Sequence, residues 1–415
     1  MRPRIGLALA GGGPLGAIHE IGALCALQDC LSGLPLGRLD GIVGVSAGAF
    51  VAAGLANGIT PRQLCAAFIE DDVPSADRIA PSVFLRPAWG EFARRGAALP
   101  GLALQIAWQG LFGERGWLAA AECLGQALPT GLFSTAPLEM ALRRLLARAG
   151  RHDDFRTLQR ATGCRLVLVA TDLDSGHAAP FGLPGWDAVP ISRAVVASAA
   201  LPGLFPPVPI GGRWYADGAL KKTLHASVLL DRGLDLLLCL NPLVPFHADH
   251  ADPAPVRRIA SRAAPPAEAA IPRLVDGGLP VVLSQTFRSL IHSRLELGLK
   301  GYERSHPATD VVLFEPERRD PTLFLANTFG YRQRRRLAEH AYQRTRADLR
   351  ARRATLAPLL ARHGITLDDA ALDDPARTLL ATRSPAPTRM VRTLRRLDGV
   401  LDTLQARLDA RPQCA

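Results

Sequence analysis

No two of the seven cysteines (Cys25, Cys30, Cys65, Cys123, Cys164, Cys239 and Cys414) form a C-x-x-C pair. An odd, scattered set among apolar neighbours excludes a zinc ribbon or a disulfide framework, and it suits buried thiols in a reducing compartment. Lysine is nearly missing: 46 of the 49 basic residues are arginine, a bias that reflects codon preference as readily as a partner. Long apolar runs are missing too. The opening MRPRIGLALAGGG carries two arginines, but its apolar part stops after about six residues at glycines, too short for a secretory signal. An uncharged stretch, residues 96–113, reaches only the lower limit of a membrane span and is weakened by Pro100 and two glutamines. The expected location is the cytoplasm, with the inner membrane face as its peripheral contact.

What is present points to a globular chain: 415 residues, 48% hydrophobic, with 38 glycines, enough for a large core. Strand-like runs at residues 5–10, 41–45, 165–171, 234–240 and 310–314 alternate with helical stretches such as 17–27 and 47–56. That alternation predicts an α/β fold with a largely parallel sheet. Residues 206–220, PPVPIGGRWYADGAL, predict a hairpin around Gly211-Gly212 whose second strand ends at Asp217-Gly218.

Three regions depart from this pattern. Residues 71–130, with Trp89, Trp108 and Trp117 in or near the uncharged stretch, fit either a buried helical hairpin or an interfacial lid over an apolar cleft. Residues 250–275, rich in Ala, Pro and Arg, read as a linker. Residues 331–415 carry 18 Arg against 9 Asp or Glu, so about +9 of the net +11 lies there. By charge alone this extension suits anionic lipid, nucleic acid, an acidic partner or a merely solvated face. Within it, Met390, Leu394, Leu397, Leu401, Leu404 and Leu408 make a short heptad seam, better suited to docking on its own domain than to an autonomous coiled coil.

GGGPLG, residues 11–16, fits two chemistries. As G-x-G-x-x-G it matches a dinucleotide loop; as bare backbone it is a cradle for an oxyanion. A dinucleotide site wants an acidic residue after the next strand, to hold a ribose hydroxyl. Asp40 is near that distance but precedes the strand GIVGV. That strand runs instead into GVSAG, residues 44–48, the strand–turn–helix elbow that presents a serine, Ser46. In a parallel sheet both loops emerge at the same carboxyl edge, which lets the N–H groups of Gly12 and Gly13 face a carbonyl attacked by Ser46. The oxyanion reading is the better one. The serine needs a base. His340 and His363 lie in the Arg-rich extension, and His177 and His225 have no strand-end position to recommend them. Asp217 ends a strand, and Gly218 permits the turn that presents its side chain.

At these residues the sequence resembles the patatin-like phospholipases. Their glycine-rich oxyanion loop, G-x-S-x-G serine and D-G-G or D-G-A aspartate are matched by residues 11–16, residues 44–48 and Asp217-Gly218-Ala219. VATDLDSG (169–176) and SRAVVASAALPGLFPPV (192–208) are also similar to that family, and the resemblance spans roughly residues 4–320. One departure is Leu15, where the family's loop usually has Arg or Lys. The resemblance implies a patatin-like three-layer α/β/α domain with a central, largely parallel sheet over residues 1–330, followed by a helical extension over 331–415. It implies a serine lipid acyl hydrolase, of phospholipase A type or a related esterase, that forms an acyl-enzyme through a Ser46–Asp217 dyad without histidine. Gly11, Gly12 and Gly13 are then the oxyanion hole, with no cofactor, no metal and no nucleic-acid partner. The implied substrate is a phospholipid or another fatty-acyl ester, with anionic membrane as a peripheral contact. Two other readings stand beside it: an acyltransferase or thioesterase using the same serine, and a weakly active scaffold that binds lipid surfaces.

Overall fold

The computed structural model describes residues 2–70, 79, 81–112, 125, 127–247, 256–257, 270–271, 274–324 and 333–380. Their strands are β1 (Ile5–Leu9), β2 (Leu31–Ser32), β3 (Gly41–Val45), β4 (Arg165–Asp172), β5 (Ala178–Phe181), β6 (Val208–Ile210), β7 (Arg213–Asp217), β8 (Leu236–Leu240), β9 (Val256–Arg257), β10 (Ala270–Ile271), β11 (Asp310–Phe314) and β12 (Thr366–Leu367). IGLAL and GIVGV are buried at every position, as strands covered on both faces must be.

The main sheet runs β11-β8-β1-β3-β4-β7-β6, with β5 also on β4. The first five strands are parallel, and β5, β6 and β7 are antiparallel additions at one end. Side chains alternate between two cores. Leu7, Ile42, Leu168 and Leu238 face helices α1 (Gly13–Cys30) and α2 (Ala47–Ala56). Ala8, Val43, Val167 and Leu237 face the opposite layer, to which the helix Gly278–Ser305 contributes Leu295. The fold is thus a mostly parallel sheet between two helical layers, with a helical C-terminal region.

One feature of the register decides where chemistry can occur. β3 follows an edge of β4 as far as Val45, opposite Val169. β7 occupies the same edge from the other direction, ending with Asp217 opposite Ala170, while β5 takes the far edge. The end of β3 and the end of β7 therefore meet head on.

The first part of the extension is built into the domain. The helix Arg334–Ala351 lies along α1 so closely that a Cβ on Gly22 would come within 2.4 Å of the Ala338 carbonyl oxygen. Tyr342 is fully buried and donates to Asp29 at 2.8 Å. Arg346, 1% exposed, donates to the carbonyls of Ala371, Leu372 and Asp374 at 2.7, 3.1 and 2.6 Å. β12 pairs with β2. Much of the positive charge here has a structural partner. The leucine seam at 390–408 and most of the 250–275 linker lie outside the described residues.

Within 71–130, residues Trp89–Phe112 form one helix containing Pro100. Its outer side chains are bare, Trp89 and Leu104 above 70%, so its described part is no buried hairpin. Glu91 moors it, accepting from the Thr130 amide and hydroxyl at 3.1 and 2.9 Å. The side chains of Trp108 and Trp117 lie outside the described residues. Among the described residues no helix is long and apolar enough to cross a membrane.

Candidate active site

Ser46 joins β3 to α2 with φ 54° and ψ −117°. A non-glycine residue holds such a backbone at a cost of about 1–3 kcal/mol, a strain that surrounding contacts must sustain. A Cβ on Gly48 would lie 2.5 and 2.6 Å from the Leu9 and Ala10 carbonyl oxygens. Glycine alone lets the Gly48 amide donate to Ala10 at 3.1 Å. The Ser46 amide donates to Ser198 Oγ at 2.8 Å, and that hydroxyl donates to the Val169 carbonyl at 2.6 Å. A buried serine thereby ties the elbow to β4.

Asp217 approaches from the other side. A Cβ on Gly218 would sit 2.1 Å from the Val169 carbonyl oxygen, so the chain can turn against β4 only through glycine. Ser46 Oγ donates to Asp217 Oδ2 at 2.6 Å, and the Ala219 amide donates to Oδ1 at 2.8 Å. The backbone is fixed as well: Thr171 Oγ1 donates to the Asp217 carbonyl at 3.0 Å, and the Asp217 amide donates to Ala200 at 3.0 Å. Asp217 is 1% exposed and Ser46 6%. Burial pushes the carboxyl up from 3.8 to about 6, with the Ser46 and Ala219 hydrogen bonds pulling the other way. A carboxylate with its proton affinity raised toward neutrality suits a general base.

The glycine loop lies over this pair. A Cβ on Gly11 would stand 3.1 Å from Ser46 Cβ and 3.7 Å from its Oγ. Gly12 caps α1, Gly13 has φ +59°, and neither α1 nor α2 has a side-chain cap at its N-terminus. Two helix starts, with their positive dipole ends, therefore converge beside the hydroxyl. Leu15 is buried in the core against α1's own layer and brings no charge to the loop.

The other candidates fall elsewhere. Asp40 Oδ2 accepts from the Ile5 amide at 2.9 Å, pinning the amino end of β1, the sheet edge opposite Ser46. A ribose held at the glycine loop is beyond its reach. His363 Nε2 lies 2.6 Å from Asp310 Oδ2, at the amino end of β11. His340 pairs with Asp320, and His177 is exposed. His225 does approach the site, in a role other than base. It is buried, has φ 47°, and its Nε2 lies 3.3 Å from the Gly218 carbonyl. A carbonyl only accepts, so Nε2 carries the proton. Burial lowers this imidazole to about 4, the Gly218 bond opposes, and Lys222 and Lys221 add to the lowering. It braces the turn after Asp217 as a neutral donor. Ser198, Thr171 and His225 had no motif of their own, although Thr171 and Ser198 lie within the family-like stretches 169–176 and 192–208. Among the described residues no group of three or more His, Cys, Asp or Glu could hold a metal ion.

The family model for patatin-like phospholipases matches residues 7–230, more than half of the chain and every residue of this site. Solved structures that are similar include VipD from Legionella pneumophila, at 17% identity over 60% of this chain and 52% of that one, with a TM-score of 0.33. Another is the type III effector protein ExoU, at 17% identity over 85% of this chain and 53% of that one, with a TM-score of 0.34. The chain spans about half the length of these two proteins. No curated protein matches.

Proposed function

The chain belongs to the patatin-like phospholipase family, and on that premise we propose that it is a serine lipid acyl hydrolase, of phospholipase A type or a related esterase, with Ser46 and Asp217 as its dyad. The observation that carries this reading is the buried 2.6 Å bond from Ser46 Oγ to Asp217 Oδ2 directly below Gly11. In the proposed cycle Asp217, as carboxylate, takes the Oγ proton while Oγ bonds to the ester carbonyl carbon. The carbonyl π pair moves onto oxygen, where the amides of Gly11, Gly12 and Gly13 hold it; each such donor is typically worth about 3–4 kcal/mol. The tetrahedral species collapses, the bond to the alcohol oxygen breaks, and the alcohol leaves with the proton from Asp217. Water then adds to the acyl carbon and gives its proton to Asp217. Ser46 Oγ departs with that proton and the fatty acid is released.

The test is labelling with a fluorophosphonate and mapping of the modified residue, alongside hydrolysis of a soluble ester. Label is expected on Ser46, with label and activity both absent in Ser46→Ala. Because the dyad acts as a unit, Ser46→Ala with Asp217→Asn should be little worse than either change alone. Label on another serine, or activity that depends on a histidine rather than on Asp217, refutes the dyad.

A further inference from the structure

The helix Gly278–Ser305 has one face seated and another bare. On the seated face Leu295 joins the core, and Gln285 both accepts from the Phe246 amide at 3.0 Å and donates to its carbonyl at 2.7 Å. Arg288 also turns inward, donating to the Val244 carbonyl at 3.3 Å with its guanidinium over the Phe324 ring. On the bare face Leu279, Leu283, Phe287, Leu290 and Leu297 are 45–70% exposed. Their spacing of four, four, three and seven makes one stripe. Arg288 is the only Asp, Glu, Lys or Arg from Leu279 to Ser293, so the water-facing side of four turns has no such side chain. A contiguous apolar surface of this kind marks an interaction site.

The helix that carries the stripe is bonded to the turn that follows Asp217. Arg294 Nη1 donates to the Leu220 carbonyl at 2.7 Å, and Thr223 Oγ1 donates to the Ile291 carbonyl at 3.1 Å. Leu220 and Thr223 belong to the turn that leaves Asp217. Exposed cations stand beside this contact: Lys221 and Lys222 on the turn, Lys221 donating to the Gly176 carbonyl at 2.7 Å, and Arg294 between Leu290 and Leu297, while the neighbouring Glu296 is paired with Arg318.

We infer that this stripe is the surface on which the enzyme lies against an anionic lipid aggregate, its leucines and Phe287 entering the acyl boundary and Lys222 and Arg294 meeting headgroup phosphates. The choice of occupant rests on the proposed hydrolase reading: an ester held in a bilayer reaches a buried serine only where the rim of the site enters the lipid. Charge favours lipid over a second copy. Two stripes paired face to face would set Arg294 of each copy into an uncharged apolar patch beside its like, whereas an anionic surface complements it.

Full-length protein is sedimented with phosphatidylcholine vesicles, with and without phosphatidylglycerol, and assayed on a soluble butyrate ester. Leu283→Glu with Phe287→Glu should lower the vesicle partition coefficient about tenfold or more, which is about 1.4 kcal/mol, and leave soluble-ester turnover within about twofold. Leu283→Ala with Phe287→Ala, a milder pair, should give an intermediate loss with an unchanged melting temperature. Unaltered vesicle binding in both pairs overturns the inference. So does a dimer that the Glu pair splits while vesicle binding persists, which assigns the stripe to a second copy. Vesicle binding through the stripe by a wild type that hydrolyses no ester supports this surface and refutes the hydrolase reading instead.

Discussion

Asp217→Asn preserves the shape of the site and removes its charge. Both hydrogen bonds have a counterpart in the variant: the amide oxygen accepts from Ala219, and the amide nitrogen donates to Ser46 Oγ. The charge is what burial resists. Raising the carboxyl from 3.8 to about 6 corresponds to about 3 kcal/mol that the native state gives up to hold Asp217 ionised. Between about pH 4 and 6 the native protein retains a proton that the unfolded chain has released, so this contribution to stability is complete below that window and falls as pH rises through it. The two proteins should be equally stable near pH 4 and diverge upward, with the variant ahead by up to about 3 kcal/mol above pH 7. Urea unfolding across that range, followed by tryptophan fluorescence, measures the difference directly. The same ionisation is expected to set the acid limb of activity: kcat/KM on a soluble ester should rise through an apparent pKa of about 6 and then level, and the variant should be lower by about 10²–10⁴-fold on that plateau, with the gap narrowing in acid. Parallel stability profiles, or wild-type activity that is flat from about pH 5 upward, refute the argument that burial tunes this carboxyl.

His225→Gly relieves the left-handed backbone while deleting the hydrogen bond to the Gly218 carbonyl and leaving a buried void; kcat should fall about fivefold, equivalent to about 1 kcal/mol, with KM nearly unchanged and the melting temperature lowered, and a fall in stability without a fall in kcat would make the imidazole merely structural. Removal of residues 381–415, which carry seven Arg and three Asp, should weaken binding to anionic vesicles, each surface Arg being worth about 1 kcal/mol, and high salt should reproduce the effect in the intact chain. Aggregation of the truncated protein, with salt-insensitive binding by the full chain, would show that the tail packs rather than steers.

The sequence was most informative where burial leaves a local imprint. GIVGV and DVVLF, apolar at nearly every position, define β3 and β11 to the residue, and the glycines around Ser46 announce a turn with no room for a Cβ. Proximity across the chain leaves no such imprint. Nothing in RWYAD says that its strand will share an edge of β4 with β3, which is what delivers Asp217 to Ser46. In sequence His225 looks no different from His177, although one is buried on the catalytic turn and the other exposed. Asp40 has the right spacing for a ribose contact and lies at the wrong end of the sheet, because spacing along a chain is blind to which edge of the sheet a residue joins. The arginines of 334–353 look like free charge along the chain; Arg346 lies instead in a cage of carbonyls that only the fold of 371–374 creates.

The head-on meeting of β3 and β7 also sets a timetable for assembly of the proposed dyad. Ser46 and Asp217 are 171 residues apart in the chain, so at about 5–20 residues per second the ribosome supplies the proposed nucleophile roughly 10–30 s before its proposed base. Until β7 arrives, the edge of β4 beyond Val169 is an open strand edge and the serine has no carboxylate to take its proton. On the proposed mechanism, an unfinished chain that meets lipid does not cleave it. In refolding, esterase activity should return with the slow, long-range pairing of β7 rather than with the early local helices.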